Sequence, residues 1–164
     1  MDGEGLVVRP YQEADRPQVE KLFEDFMDYL VNLDPLDRCR REPGFGEHIV
    51  TKTIADTAGE GLFAVAEQGG VLVGLVAGIV KRQTPEDLLD HHPSTVGWVT
   101  ELYVDSKSRG SGVGHALMKA IEEHFRVNGC DASRLSVFVP NLLARQFYER
   151  SGYHERDIEL FKAL

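Results

Sequence analysis

Two nearly continuous apolar runs constrain the fold of this chain more than any other feature of its sequence. Residues 62–67 and 71–80 are separated only by Gln68, Gly69 and Gly70, a spacing typical of a β-hairpin with a tight turn. Both runs are apolar at almost every position rather than at alternate positions, so we expect each strand to be covered on both faces. Because this apolar surface must be removed from water, a sheet of this kind needs helices on each side.

Segments with a helical spacing of apolar residues lie on both sides of this hairpin. From Asp15 to Leu33 apolar residues recur three or four positions apart, and Pro17 lies in the expected first turn, where its missing N–H costs little. Gly129 follows the helical face 113–125 as a C-terminal cap. The other predicted elements are strands at 6–9, 96–104, 135–139 and 158–162 and helices at 46–58 and 142–150. This order predicts an α+β class with a mixed, mostly antiparallel, twisted sheet flanked by helices on both faces.

The composition favours one domain of ordinary size over residues 1–164. With 18 Lys and Arg against 27 Asp and Glu, the formal net charge of −9 argues against a general nucleic-acid-binding protein, which needs a basic surface. The apolar run 71–80 is far shorter than the roughly 18–20 residues that span a bilayer, and residues 1–4 lack the basic start of a signal peptide. Cys39 and Cys130 lie far apart without a CxxC motif. We therefore expect reduced thiols, a cytoplasmic location, and neither a membrane nor a nucleic-acid partner.

A glycine-rich loop carries the most specific functional signal. The strand ending at Val104 leads through a short loop into Gly110, Gly112 and Gly114, which open an amphipathic helix. Glycines let the backbone approach a ligand closely, and the first amides of a helix point outward with partial positive charge. We therefore expect a phosphate or pyrophosphate to bind here, with Arg109 as its cationic partner.

Two common phosphate-binding motifs do not match this loop. A P-loop requires Gly-Lys-Ser/Thr, but Gly114 is followed by His115 and Ala116. The dinucleotide fingerprint GxGxxG requires a third glycine where this chain has Leu117, and residues 105–109 intervene between the strand and the glycines. A glycine-rich turn without a ligand remains the alternative at this point.

Two blocks of the sequence, taken in order, resemble the hallmarks of the GNAT superfamily of acyl-CoA-dependent N-acyltransferases. The pattern Arg109-x-x-Gly112-x-Gly114 after an apolar strand resembles that family's acyl-CoA pyrophosphate loop. The block 141–153 resembles its second hallmark: an Asn after a strand, a helix with an Ala and a Phe-Tyr pair, then Gly-Tyr. Residues 8–10 resemble the family's first strand, so the resemblance covers essentially the whole chain.

The resemblance implies a GNAT-like fold and acetyl-CoA, or another short acyl-CoA, as the acyl donor. It implies that the pantetheine lies beside the backbone of Leu102 and Val104, with the side chain of Asn141 and the small Ala144 next to it. The pyrophosphate would be held by consecutive residues of the loop, namely Arg109, Gly110, Ser111, Gly112, Val113, Gly114 and His115. No metal ion is expected.

Acetyl transfer to an amine requires a base and benefits from an acid. A free alkyl amine has a pKa near ~10.4, so a base must remove a proton, and the departing thiolate gains from a positioned acid. The resemblance implies Tyr148 as the acid; the alternative is a core tyrosine beside Phe147. Glu101 lies where the family often has an acidic residue and is the candidate base. Its alternatives are a contact to the acceptor without proton transfer and a structural ion pair.

The acceptor is predicted only as a class. Direct transfer, which needs no covalent intermediate, requires a primary amine on a small molecule or on a peptide or protein. The negative net charge favours a cationic acceptor through long-range attraction. The sequence is also compatible with a homodimer. Two other functions also remain: a CoA-binding regulatory module that has lost turnover, and a nucleotide-binding interaction domain.

Overall fold

The structure is a computed structural model that describes residues 5–164. Along these residues the order of elements is β1 (Val7–Pro10), α1 (Arg16–Leu33), α2 (Phe45–Asp56), β2 (Leu62–Gln68), β3 (Val71–Arg82), β4 (Thr95–Val104), α3 (Val113–Val127), β5 (Ala132–Arg134) and α4 (Leu142–Arg150). Residues 1–4, on which the expectation of no signal peptide rests, lie outside this part of the chain. None of the helices between residues 5 and 164 combines the length and the apolar character needed to cross a membrane.

The strands form one mixed sheet in the order β1-β2-β3-β4-β5. Neighbouring strands are antiparallel, except that β4 and β5 are parallel. Between β2 and β3, Gly69 and Gly70 have φ angles of 61° and 76°, the left-handed backbone that a two-residue hairpin turn of type I′ requires. The predicted hairpin and the mixed, mostly antiparallel sheet are both confirmed.

Helices cover both faces of the sheet, as the two apolar runs predicted. α1 and α2 pack over a buried cluster that includes Leu75, and α3 packs over a second cluster that includes Val76. These successive residues of β3 are both fully buried, on opposite faces, which explains why the strand is apolar at almost every position. On the α3 face, the ring of Phe125 occupies the space where a Cβ atom on Gly97 would lie. α3 therefore approaches β4 more closely than a side chain at position 97 would allow.

An ion pair ties β1 to the start of α1. The two terminal nitrogens of Arg9 donate to the two carboxylate oxygens of Asp15 at 2.7 and 2.8 Å, and its Nε donates to Glu67 of β2 at 2.9 Å. Asp15 is buried and also accepts the backbone N–H of Gln12 at 2.8 Å. The hydrogen bonds from Arg9 hold the pKa of the Asp15 carboxyl below its usual range. These contacts fix the point at which α1 leaves the sheet.

Two of the predicted strands are wrong. Residues 135–139 do not pair with β4; the pairing ends with β5, before Leu135. Leu135 is partly buried against the α3 cluster, so its apolar character reflects packing on a helix rather than a place in the sheet. Residues 158–162 have no regular structure, and Ile158 and Leu160 are 74% and 89% exposed. A strand needs a neighbour to satisfy its N–H and C=O groups, and none lies along this segment in the described chain.

Candidate active site

A β-bulge in β4 decides which way Glu101 faces. Two successive residues of β3 pair with Glu101 and Val99, which leaves Thr100 as an extra residue on β4. Val99 packs in the α3 cluster, whereas Tyr103 packs in the cluster under α1 and α2. Because side chains two positions apart on a strand share a face, Glu101 lies on the same side as Tyr103. The bulge thus turns Glu101 away from the α3 core.

The carboxyl group of Glu101 is partly buried on the side of the sheet that carries α2. Burial raises its pKa to about 7; the charge of Lys52 lowers the pKa and that of Asp56 raises it. Lys52 and Asp56 form an ion pair on α2, so their effects on Glu101 largely oppose each other. A carboxyl group that titrates near neutral pH can accept a proton from a substrate, which suits a general base.

The expected anion-binding loop enters α3 with a left-handed backbone. Gly110 and Gly112 have φ angles of 79° and 90°, which L side chains rarely adopt. A Cβ atom on either glycine would meet nothing within 4 Å, so backbone conformation rather than packing requires them. Gly112 is the N-cap residue of α3 and supplies no side-chain acceptor for the first helical amides. These amides and the open space beside them fit a pyrophosphate group.

The other residues expected at this loop have different surroundings. Gly114 and His115 both lie against Phe147 of α4, and the rings of His115 and Phe147 have centroids 5.0 Å apart. Val113 is buried in the α3 cluster, so only its backbone amide is available to a ligand. Ser111 is exposed beside the two left-handed glycines. The open part of the loop is therefore Gly110 through Gly112, and the rest anchors it.

Arg109 is folded against aromatic rings at the end of β4. Its guanidinium carbon lies 4.7 Å from the ring centroid of Tyr29 in α1 and 5.7 Å from that of Tyr103 in β4. Its Nε donates a hydrogen bond to the backbone oxygen of Val104 at 3.2 Å. The expected cationic partner of the pyrophosphate is thus held next to the loop by contacts within the protein.

Asn141 begins α4 and is held there by two donors. Its Oδ1 accepts the backbone N–H of Ala144 at 3.2 Å, as an N-cap residue does, and the hydroxyl group of Tyr29 at 3.1 Å. Tyr29 is 112 residues away in sequence and was not predicted as a site residue. The available signal was weak: Tyr29 lies three positions after Phe26, on the helical face that points to the sheet.

One edge of β4 is open beyond the short pairing with β5. β4 and β5 pair only as far as Trp98 and Arg134. Beyond that pair, none of the described strands adjoins this edge of β4, which includes Leu102 and Val104. An open strand edge offers backbone donors and acceptors to an extended ligand that carries amide groups, as pantetheine does. The expected contacts with Leu102 and Val104 remain predictions.

Tyr148 lies in a group of aromatic side chains next to α3. Its ring meets those of Phe147 and Tyr153 edge-on, with centroids 5.3 and 5.9 Å away. Burial raises the pKa of Tyr148 to about 12, so its hydroxyl stays protonated at neutral pH. The hydroxyl of Tyr153 lies 2.8 Å from Ser133 Oγ and 3.1 Å from Glu122 Oε1. The hydroxyl of Tyr153 is therefore engaged by other groups of the protein, and Tyr148 remains the candidate proton donor of this group.

The two candidate catalytic residues lie on different sides of β4. Tyr148 packs with the α3 cluster, and Glu101 faces α2. Neither contributes to the pKa shift of the other, so they do not form a directly coupled pair. Any substrate that both contact has to reach from one to the other at the open edge of β4. Between residues 5 and 164, no group of three or more His, Cys, Asp or Glu side chains is arranged to hold a metal ion.

Comparison with known sequences identifies relatives of one kind. Residues 19–153 match the acetyltransferase (GNAT) family. The chain is 35% identical over 97 residues to an uncharacterized N-acetyltransferase of Methanocaldococcus jannaschii, covering 58% of this chain and 54% of that protein. It is 27% identical to glucosamine 6-phosphate N-acetyltransferase 1 of Oryza sativa subsp. japonica, covering 97% of this chain and 87% of the relative. The match to the Methanocaldococcus protein spans about half of that protein's length.

Solved structures share the fold over nearly the whole chain. A mutant of the BH1408 protein from Bacillus halodurans has a TM-score of 0.80 at 19% identity, covering 96% of this chain and 99% of that one. An aminoglycoside N-acetyltransferase in complex with CoA has a TM-score of 0.73 at 14% identity, covering 99% of this chain and 97% of that one. At these identities the likeness concerns the fold alone.

Proposed function

The chain belongs to the GNAT family of acetyltransferases, and we propose that it transfers an acetyl group from acetyl-CoA to a primary amine in a complex that holds both substrates. The observation that carries this proposal is the left-handed loop at Gly110 and Gly112, which leaves the first amides of α3 available to an anion. A pyrophosphate is the part of acetyl-CoA that such a loop suits best.

The rest of the donor would extend from this loop along the open edge of β4. The pantetheine would meet the backbone of Leu102 and Val104 on one side and Asn141, with Ala144 beside it, on the other. Pantetheine carries two amide groups, and an open strand edge with a polar side chain opposite matches their hydrogen-bonding needs. The solved aminoglycoside N-acetyltransferase that shares this fold has CoA bound, so the fold itself accommodates a donor of this kind.

The two candidate catalytic residues would handle protons at opposite ends of the reaction. The amine nitrogen forms a bond to the acetyl carbon, and the bond from that carbon to the CoA sulfur breaks. Glu101, with its pKa near neutrality, would take the proton that the amine nitrogen must lose. Tyr148, which stays protonated, would give its proton to the departing sulfur. No covalent intermediate with the protein is needed.

The acceptor would be a small or exposed primary amine. Relatives of the chain are named for amine acceptors: aminoalkylphosphonate in the Salmonella typhimurium protein and glucosamine 6-phosphate in the rice protein. These names describe the relatives. For this chain we propose only the class of acceptor, a primary amine, and not one of these compounds. The formal charge of −9 favours amines that approach as cations.

The test has two stages. Acetyl-CoA and CoA should raise the melting temperature, because a ligand that binds only the native state stabilises it, by about 2.7 kcal/mol at 100 times its Kd. A panel of primary amines, including aminophosphonates, amino sugars, polyamines and peptides, is then screened for acetyl-CoA-dependent thiol release. Release with at least one amine is expected. A melting curve unchanged by millimolar CoA overturns the assignment of acetyl-CoA as the donor. CoA binding without thiol release in the presence of any amine favours a regulatory module instead.

A further inference from the structure

Tyr29 touches both parts of the donor site that the proposed function requires. Its hydroxyl donates to Asn141 Oδ1 at 3.1 Å, at the start of α4. Its ring lies under the guanidinium of Arg109 at 4.7 Å, beside the glycine loop. The residue belongs to α1, which otherwise packs against the sheet, and it is partly buried at this junction.

The hydroxyl group of Tyr29 adds a second contact to the Asn141 amide, whose direction the first turn of α4 sets. Oδ1 accepts the backbone N–H of Ala144, which can only donate, so the hydroxyl of Tyr29, which contacts the same oxygen, also acts as a donor. The amide nitrogen, Nδ2, is therefore turned to the other side and offers its two N–H groups there. Pantetheine carbonyl oxygens are acceptors, so this orientation supplies the partner they need.

The ring of Tyr29 holds the guanidinium of Arg109 beside the loop. A stacked guanidinium keeps the hydrogen atoms at its edge available, because the contact with the ring uses only its face. Its Nε donates to Val104 and the guanidinium also interacts with the hydroxyl of Tyr103, so the remaining N–H groups are the ones available to a phosphate oxygen. The ring of Tyr103 lies farther from the same guanidinium, at 5.7 Å, so of the two rings that of Tyr29 is the closer one.

We propose that Tyr29 is a positioning residue for the acyl-CoA donor: its hydroxyl holds the Asn141 amide in place for the pantetheine, and its ring holds Arg109 in place for the pyrophosphate. This inference rests on the proposed function. It assigns to α1 a part in donor binding, in addition to its packing on the sheet. It also divides the effect of Tyr29 into two separable contributions, one from the hydroxyl and one from the ring.

The experiment measures the Kd of CoA by calorimetry for Tyr29→Phe, Tyr29→Leu and a matched control, Tyr11→Phe. Tyr11 likewise has a ring packed face-on against a planar group, the ring of Phe63, and a hydroxyl hydrogen bond, to Glu13, but it lies outside the donor site. Loss of one hydrogen bond should raise the Kd of Tyr29→Phe roughly 3–10-fold. Tyr29→Leu should raise it by a further roughly 3–10-fold, since the ring contact is lost as well. Tyr11→Phe should bind CoA as the wild type does.

Two double variants separate positioning from a general loss of structure. In an Asn141→Ala background, the hydroxyl has no amide to hold, so adding Tyr29→Phe should not change the Kd further. In an Arg109→Gln background, the difference between Tyr29→Phe and Tyr29→Leu should disappear. Two outcomes overturn the inference and leave the proposed function standing. One is additive effects in both backgrounds, and the other is a Tyr29→Phe protein that binds CoA as tightly as the wild type. A wild-type protein that binds no CoA overturns the proposed function and the inference with it.

Discussion

Gly114 at the start of α3 leaves room for the ring of Phe147 in α4: a Cβ atom at this glycine would lie 3.3 Å from the Cζ atom of that ring. The two residues come from the two sequence blocks that resemble the family's hallmarks, so the blocks meet in the folded chain. Gly114 therefore serves the contact between two helices. Gly112, two residues earlier, has nothing within 4 Å of a Cβ position and serves the left-handed backbone.

The two glycines should respond differently to the same substitution. Gly112→Val places a side chain in the anion-binding loop at a φ of 90°, at a cost of about 1–2 kcal/mol, and should abolish the CoA-induced rise in melting temperature. Gly114→Val pushes against Phe147 and should cost about 1–3 kcal/mol in the free energy of unfolding. Urea unfolding and melting curves with and without CoA measure both effects. A full CoA shift in Gly112→Val would contradict the assignment of the loop.

The cysteines should be dispensable for turnover. Burial raises the pKa of both the Cys39 and the Cys130 thiols, so neither is a ready nucleophile at neutral pH. A protein carrying Cys39→Ser and Cys130→Ser together should keep most of its acetyl transfer, because direct transfer uses no thiol of the protein. Steady-state thiol release, corrected for folded protein, measures this. Loss of activity in a folded variant, with an acetylated cysteine in the mass spectrum of the wild type, would indicate transfer through the protein.

The parts of the fold that the sequence predicted are those in which apolar spacing reports burial directly. Leu75 and Val76 are adjacent and buried on opposite faces, and that arrangement produces an apolar run that only a doubly covered strand explains. The strands predicted at 135–139 and 158–162 failed because apolar residues also occur where no strand pairing follows. Leu135 packs against the α3 cluster, and the side chains of the second segment are largely exposed.

The candidate site was predictable where its residues adjoin in sequence, as in the loop that precedes α3. Contacts between distant elements were not. Tyr29 and Asn141 are 112 residues apart, and only the position of α1 on the sheet brings them together. The side of the sheet on which Glu101 lies could not be predicted either. The extra residue Thr100 reverses the alternation of side chains between the two faces of β4, and no residue type in the strand indicates such a bulge.

The stability of the protein should depend on pH through Glu101. Its pKa is about 7 in the folded state, well above the ordinary value of a glutamate carboxyl group, so ionisation opposes folding. The stabilisation that comes from the protonated carboxyl is fully present at pH values below the pKa of Glu101 in the unfolded chain. It is lost as the pH rises through about 7, the pKa in the folded state. Glu101→Gln should therefore match the wild type near about pH 4 and exceed it at about pH 8 by up to about 3 kcal/mol. Urea unfolding of both proteins at the two pH values measures this, and an equal difference at both would contradict it.

The pH profile of activity should show whether Glu101 is the base. If it is, wild-type kcat/KM for the amine should fall on the acid side with an apparent pKa near 7, because this ratio reports the free enzyme, whose carboxyl is protonated there. In Glu101→Gln this decrease at acid pH should be absent, and kcat should be lower than that of the wild type by a factor of roughly 10²–10³. An increase in the KM of the amine with kcat near the wild-type value would instead assign Glu101 to acceptor binding.

Tyr148 should contribute mainly in the transition state. Its proton would stabilise the departing sulfur, which carries charge only as the bond from the acetyl carbon breaks. Tyr148→Phe should therefore lower kcat by roughly 10²–10³ and leave the KM of acetyl-CoA nearly unchanged. The matched control is Tyr153→Phe, which removes the hydroxyl that contacts Ser133 and Glu122 and should lower stability while kcat stays close to the wild type. Single-turnover measurements establish that chemistry limits the rate, and full turnover by Tyr148→Phe under that condition would remove Tyr148 from the mechanism.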